Sequence, residues 1–242
     1  MAEQLDPHRA AGAARAVAAR PATDKGLRAY MLSVYNFMAS GVLLTGIVAL
    51  LFARSGYAAQ ILAGPGLLKY LIMFAPLGFV LVLSLGIARL STIAAQLLFW
   101  GFAAVMGLSL ASIFLVFTGA SIAQTFFATA AAFLGLSLWG YATKKDLSAF
   151  GTFLVMGLVG LIVVMLINLF LQSSVLQLAI SAIGVLLFAG LTAYDTQRIK
   201  NLYDRVAGTE MFGRVVIMGA LTLYLDFINM FLFLLQFMGD RR

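Results

Sequence analysis

Two carboxylates lie inside long apolar stretches of this chain, where an ionised group is costly. Asp226 lies in LTLYLDFINMFLF, midway between Arg214 and Met238, so about 18 Å of helix rise separates it from either end of the stretch. Asp195, in AYDTQRIK, ends the preceding apolar stretch. Because a charge at the centre of a bilayer costs at least ~2.5 kcal/mol, such residues typically mark ion pathways or proton relays.

If the two aspartates meet, their surroundings determine their chemistry. Two like charges in a low-dielectric site cannot both ionise, so the pair would share a proton and respond to pH. Deprotonation adds repulsion, which separation, a cation or an arginine relieves. Two carboxylates supply at most four oxygens, whereas Ca²⁺ takes about six to eight. A calcium site at Asp195 and Asp226 is therefore expected to be weak and completed by water, which suits permeation.

Three neighbouring residues could support the pair. Asn229 lies at i+3 from Asp226, on the same helix face, and could orient the carboxylate. Arg198 lies at i+3 from Asp195 and offers an ion pair, although the two could also form a plain anchor at a helix end. Arg89 ends the second apolar stretch and could act as a counter-ion, or could simply reach the headgroups.

The composition excludes several other kinds of site. The chain has no cysteine and one histidine, His8 near its start, which excludes disulfides, thiolate metal sites and histidine catalysis within the membrane. The net charge of +7 accompanies an apolar content of 63%. In so apolar a chain, basic residues indicate membrane topology rather than a nucleic-acid surface, so no nucleic-acid partner is expected.

The elements that must position the aspartates are membrane-spanning helices. Charged residues make up 10% of the chain, against about 25% in soluble proteins. Seven apolar stretches each approach the ~20 residues that a spanning helix needs. They cover residues 30–53, 70–88, 95–117, 121–142, 150–171, 175–195 and 214–238. We expect an all-α membrane protein: a mobile basic tail over 1–29, a seven-helix domain over 30–239 and a short C-terminal tail over 240–242.

The distribution of Lys and Arg predicts the orientation of this domain. With the N-terminus in the cytoplasm, twelve of the sixteen basic residues face the cytoplasm and four face the other side, as the positive-inside rule requires. If the seventh stretch re-enters instead of spanning, Arg241 and Arg242 also move inside. Straight helices would place Asp195 near the inner interface and Asp226 near the midplane. Contact between them would then need a shifted, broken or tilted seventh helix.

Three segments resemble the Bax inhibitor-1 family, also called the transmembrane Bax inhibitor motif family, in its bacterial branch. They are LSLWGYATKKDLSAFG at 136–151, GLTAYDTQRIK at 190–200 and GALTLYLDFINMFLFLLQFMG at 219–239, and the likeness covers about residues 27–239. The resemblance implies a seven-helix bundle with the last helix at its centre. It also implies a pH-sensitive calcium leak governed by a di-aspartyl pair, here Asp195 and Asp226.

Further expectations follow from the resemblance. The protein would lie in a bacterial inner membrane, with the lipid bilayer as its surroundings and Ca²⁺ or H⁺ as the transported ion, and would be neither an enzyme nor dependent on a cofactor. Some family members also use an acidic residue in the second segment near the pore, but residues 70–88 contain none. Arg89, near that region, is the charged residue that could form an ion pair with the two aspartates.

Two other functions compete with the leak. Tyr194 and Asp195 in one segment with Asp226 in the next resemble the two-aspartate plan of intramembrane aspartyl proteases, in which a shared proton helps to activate water. That family has Gly-x-Gly before its second aspartate, whereas this chain has LYL at 223–225. The other alternative is a non-conducting regulator that binds a membrane protease or another membrane protein through the N-terminal tail.

Overall fold

Helices form almost all of the regular structure in the described chain. The computed structural model describes residues 25–242 in full and only the helical backbone of residues 7–24. The helices are α1 (Pro7–Arg54), α2 (Tyr57–Leu62), α3 (Leu68–Gly86), α4 (Thr92–Leu110), α5 (Ile113–Val116), α6 (Gly119–Ala142), α7 (Ser148–Leu171), α8 (Ser174–Val206) and α9 (Phe212–Met238). The predicted all-α fold class is confirmed.

The described helices form seven segments that are long and apolar enough to cross a membrane. The first span begins at Lys25 within α1, α4 and α5 together form the third, and α2 is a short helix between the first two. This confirms the predicted seven-helix membrane bundle. Most of the predicted basic tail, residues 1–24, lies outside the residues whose side chains are described, and the mobility of the tail stays a prediction.

Helix α9 occupies the centre of the bundle, as the family resemblance implied. Its most apolar segment is 67% buried, whereas the corresponding segments of the other spans are 17–39% buried. It packs against α8, α1, α6 and α4. Small residues bring neighbouring backbones close together: Gly140 of α6, for example, lies directly against the backbone of Ala193 in α8.

Helix α9 also crosses the bundle from end to end. Near its start, Arg214 Nη1 donates a hydrogen bond to the carbonyl of Ala88, in the turn between α3 and α4 (2.9 Å). Beyond its end, Asp240 O accepts from Thr118 N (3.0 Å), at the opposite end of the bundle. The seventh helix therefore spans and does not re-enter, and Arg241 and Arg242 lie opposite the α8–α9 turn.

Helix α8 is longer than its apolar stretch. The predicted segment ends at residue 195, but α8 continues for eleven residues to Val206. Gln197 explains part of this extension, because its Oε1 accepts from Leu147 N (2.9 Å) and its Nε2 donates to Lys145 O (2.8 Å). The helix therefore remains packed against the α6–α7 loop where the sequence becomes polar. As a result, Asp195 lies eleven residues before the end of α8.

Candidate functional site

Contacts between α8 and α9 define a seam that contains Asp195. Phe188 of α8 stacks on Phe233 of α9, with ring centroids 5.8 Å apart. Further along, Ile199 of α8 lies against Gly219 of α9. Asp195 is seven residues after Phe188 and four before Ile199, so all three share one face of the helix. Asp195 therefore faces α9.

Asp226 lies on the matching face of α9. It is seven residues from Gly219 and seven from Phe233, and both of these residues touch α8. Residues seven apart in a helix recur on nearly the same side. The two aspartates thus lie in the same seam, each directed towards the helix that carries the other.

The two aspartates also lie at similar depths. Asp195 is about 16 Å of helix rise from the end of α8, and Asp226 is about 21 Å from the start of α9. Because a short turn joins these two helix ends, the offset along the seam is only about 5 Å. The expectation of a shifted, broken or tilted seventh helix assumed that α8 ends near Asp195, whereas α8 continues to Val206.

Both carboxyl groups are removed from the surface. Asp195 is 7% exposed and Asp226 is 4% exposed. Among the described residues, Oδ2 of Asp226 is buried without a hydrogen-bond partner. A buried carboxyl oxygen without a partner costs roughly 1–3 kcal/mol. Two buried carboxyl groups that meet in such a site would share a proton or attract a cation.

Arg198 forms the ion pair that its spacing predicts. Its Nη1 lies 3.8 Å from Asp195 Oδ1, and its side chain is 64% exposed, against 11% for that of Asp195. A contact this long and this exposed at one end contributes at most about 1 kcal/mol. Arg89 is exposed in the turn after α3, and within residues 25–242 the structure brings it into no ion pair with either aspartate.

The remaining two supporting candidates face other groups. Asn229 Nδ2 donates to Leu225 O in its own helix (2.8 Å), so this bond does not orient the Asp226 carboxylate. Tyr194 lies against Gly151 of α7. With Arg198, it lines a polar cavity of about 280 Å³. The cavity lies between α8 and the start of α7.

Buried hydroxyl groups tie α9 and α8 to their neighbours, and sequence reasoning missed them. Tyr224 Oη and Thr45 Oγ1 are 2.7 Å apart, and Thr45 donates to Ala103 O (2.7 Å). This chain links α9 to α1 and α4. The one signal in the sequence is that each hydroxyl is an isolated polar group within an apolar stretch. The sequence does not indicate which distant residue is its partner.

A second hydroxyl chain anchors α8 next to Asp195. Thr196 Oγ1 lies 2.8 Å from Ser137 Oγ of α6, and Ser137 lies 2.6 Å from Tyr35 Oη of α1. The polar run after Asp195 is therefore occupied in packing against α6 and the α6–α7 loop. Asp195 is directed instead into the α8–α9 seam.

The far end of the seam is polar, and Arg241 is the charged residue that lines it. Beyond the Phe188–Phe233 stack, Gln177 Nε2 of α8 donates to Gln236 Oε1 of α9 (2.6 Å), and Asn168 Nδ2 donates to Gln177 Oε1 (3.1 Å). These amides line a cavity of about 700 Å³ at the end of the bundle near the C-terminus. The seam thus runs from the carboxyl pair through an aromatic barrier to an amide cluster.

Comparison with known proteins places this bundle in a family. The family model described as "Inhibitor of apoptosis-promoting Bax1" matches residues 27–242. An uncharacterized protein of Rickettsia prowazekii is 48% identical, with 90% of this chain and 92% of the relative covered. Inner membrane protein YbhL of Escherichia coli is 46% identical, with 90% and 94% covered. An integral membrane protein by its seven spans, this chain belongs to the Bax inhibitor-1 family.

Proposed function

We propose that this protein is a pH-sensitive cation leak channel for Ca²⁺, gated by Asp195 and Asp226. The observation that carries the proposal is the placement of both carboxyl groups, buried and at similar depth, in the seam between α8 and the central helix. The unpartnered Oδ2 of Asp226 supports it, because a purely structural aspartate would have its oxygens satisfied.

The gate responds to the number of protons on the pair. At low pH the two carboxyl groups share a proton, and the seam stays closed. At higher pH both ionise, and two carboxylates in close contact repel by about 3 kcal/mol at an effective dielectric of ~20. That energy changes a two-state equilibrium roughly a hundredfold. Relief comes from separation of α8 and α9 or from a cation between the carboxylates.

The rest of the seam provides the conduction path. The Phe188–Phe233 stack separates the carboxyl pair from the amide cluster at the far end. An aromatic constriction of this kind keeps water and ions out while it is closed. Parting α8 from α9 would open it and connect the carboxyl pair with the cavity beside Gln236.

Calcium is the cargo of this path and binds the pair only weakly. Within residues 25–242 no group of three or more His, Cys, Asp or Glu residues lies together, so the two aspartates supply at most four oxygens. Ca²⁺ takes about six to eight oxygens, and water supplies the remainder. Weak coordination lets an ion leave as readily as it enters.

We place the protein in a bacterial inner membrane, with the N-terminus in the cytoplasm. The name of the Escherichia coli relative, inner membrane protein YbhL, supports the compartment. The twelve-to-four distribution of basic residues supports the orientation. Since α9 spans, the C-terminus lies on the opposite side, so Ca²⁺ entry would begin at the amide cluster and end beside the α8–α9 turn.

The experiment that tests the leak is calcium flux into liposomes loaded with a calcium dye, measured from pH 5 to pH 8. We expect flux to rise with pH for the native protein. Asp195→Asn or Asp226→Asn removes one titrating group and should flatten this dependence. Asp204→Asn is the matched control, because Asp204 is an exposed residue on the same helix. Flux equal to that of empty liposomes at every pH would refute the leak.

The competing functions give different results in the same preparation. An intramembrane aspartyl protease would cleave single-span substrates and lose that activity with either Asp→Asn change, without calcium flux. A non-conducting regulator would pass no calcium and would retain a membrane partner through its tail. That tail falls largely on residues outside those fully described, so this role stays a prediction.

A further inference from the structure

A groove between α1 and α6 opens towards the lipid. Three adjoining cavities of about 420, 270 and 270 Å³ follow it along the bundle. The first two share Tyr35, and the last two share Val42 and Phe227, a residue of the central helix. The groove extends along α1 from Arg28 to Ala49, about 31 Å of helix rise, close to the ~30 Å thickness of the hydrocarbon core.

The two ends of the groove differ in chemistry. Arg28, Tyr141 and Ser137 line the cavity nearest the α8–α9 turn. Lys200 adds a second positive charge there, since its Nζ lies 5.0 Å from the centre of the Tyr141 ring and donates to the Tyr141 carbonyl (2.7 Å). No acidic residue lines any of the three cavities. This end therefore attracts an anion.

The remainder of the groove is apolar. Between Tyr35 and Val42 its walls are Met38, Ala39 and residues of α6 such as Ala130. Its rims, including Leu32, Leu43 and Leu134, are exposed on the outer surface of the bundle. Since these rims face lipid in a membrane, the molecules that can enter the groove from the side are lipids.

We propose that the α1–α6 groove binds an anionic glycerophospholipid, with its phosphate beside Arg28 and one acyl chain along α1 and α6. The length from Arg28 to Val42 is about 21 Å of helix rise, enough for a chain that crosses one leaflet of the ~30 Å core. The lipid comes from the leaflet on the side of the α8–α9 turn, because Gly26 of α1 touches Tyr203 near that turn. Its chain rests on Phe227, the residue after Asp226.

The first experiment tests the role of charge by comparing the binding of two lipids to the purified protein. Native mass spectrometry in detergent would follow binding of phosphatidylglycerol and of phosphatidylcholine with identical chains. We expect tighter binding of phosphatidylglycerol. Arg28→Gln should weaken its binding about fivefold, as expected for one basic residue at a lipid surface, and leave phosphatidylcholine unchanged. Lys144→Gln is the matched control, because Lys144 is exposed on the same side but does not line the groove.

The second experiment tests the role of shape by filling the groove with an aromatic ring. Ala130→Phe and, independently, Ala39→Phe should abolish retention of both lipids, whereas Ala128→Phe, at an exposed position of α6 that does not line the groove, should retain them. Thermal melting of each variant in detergent identifies any that fails to fold. Equal lipid retention by folded Ala130→Phe, Ala39→Phe and Ala128→Phe proteins would overturn the proposal. So would an unchanged lipid preference in Arg28→Gln.

Discussion

At the scale of single residues, Asp226 combines burial with incomplete hydrogen bonding. Its Oδ2 has no partner among the described residues, although neighbouring polar groups such as Tyr224 and Asn229 are bonded to others. Asn229 bonds to its own helix because a carbonyl four residues earlier is always within reach. The local polar groups thus leave the carboxyl free to interact with Asp195 across the seam.

Asp146, outside the spans, allows a prediction about pH at this same scale. Hydrogen bonds from the side chain of Ser148 and, to a smaller extent, from its backbone amide lower the pKa of the Asp146 carboxyl. A lowered pKa in the folded state means that the stabilisation is present above the unfolded pKa of ~3.9 and is lost as pH falls through the folded value.

We therefore expect Asp146→Ala to lower the melting temperature slightly at pH 7 and to have no effect near pH 2. Thermal unfolding in detergent across this pH range measures the difference. Asp240→Ala is the comparison, since Asp240 is an exposed aspartate that also lies outside the spans. A destabilisation by Asp146→Ala that persists unchanged at the lowest pH would contradict the assignment.

At the scale of elements, the length of α8 decides what the aspartates can do. The polar residues after Asp195 stay helical because they bond to α6 and the α6–α7 loop. If α8 ended at Asp195, this residue would lie at the membrane interface, far from the depth of Asp226. The aromatic stack lies further along the same seam and gives α8 and α9 a barrier between their two polar ends.

The barrier predicts the effect of Phe233→Ala on flux. Removing the ring leaves a gap opposite Phe188 and Gly184, and we expect the calcium leak at pH 5 to rise several-fold towards the level at pH 8. Loss of a buried Phe also costs about 3–5 kcal/mol, so the melting temperature should fall.

The control for this change is Phe237→Ala, one turn further along α9, where the side chain is exposed. It should change neither the leak nor its pH dependence. If folded Phe233→Ala protein leaks no more than Phe237→Ala protein at pH 5, the stack is packing rather than a gate.

At the scale of the whole molecule, α9 organises the bundle and sets its sidedness. It is the most buried span and touches four other spanning elements. Its two ends are held at opposite faces, by Ala88 at one and by the segment around Thr118 at the other. An odd number of crossings follows, so the first span begins on the side opposite to the C-terminus.

The absence of cysteine from the chain makes this topology directly measurable. Single cysteines at Gly66, between α2 and α3, and at Glu210, in the α8–α9 turn, should label on opposite sides of the membrane. In spheroplasts, we expect a membrane-impermeant thiol reagent to label Gly66→Cys but to reach Glu210→Cys only after lysis. The reverse pattern would contradict the cytoplasmic N-terminus.

The sequence by itself determined the spans, the family and the two aspartates of interest. Hydropathy is a local property, and an unbroken apolar stretch has few alternatives to a spanning helix, so the structure reproduces all seven. An acidic residue in such a stretch is rare enough to stand out without any knowledge of its neighbours. The motifs around Asp195 and Asp226 were sufficient to predict the family, which the comparisons confirm.

Only the tertiary structure decided how these parts meet. The register of α8 against α9, the separation of Arg89 from the pair, the hydroxyl chains of Thr45 and Ser137, and the groove beside α1 all join residues far apart in the chain. Within a bilayer, helix association depends on close packing and on individual hydrogen bonds rather than on hydrophobic pattern. Nothing in the order of the residues encodes those contacts locally, so the depth of Asp195 beside Asp226 emerges only when the helices are packed.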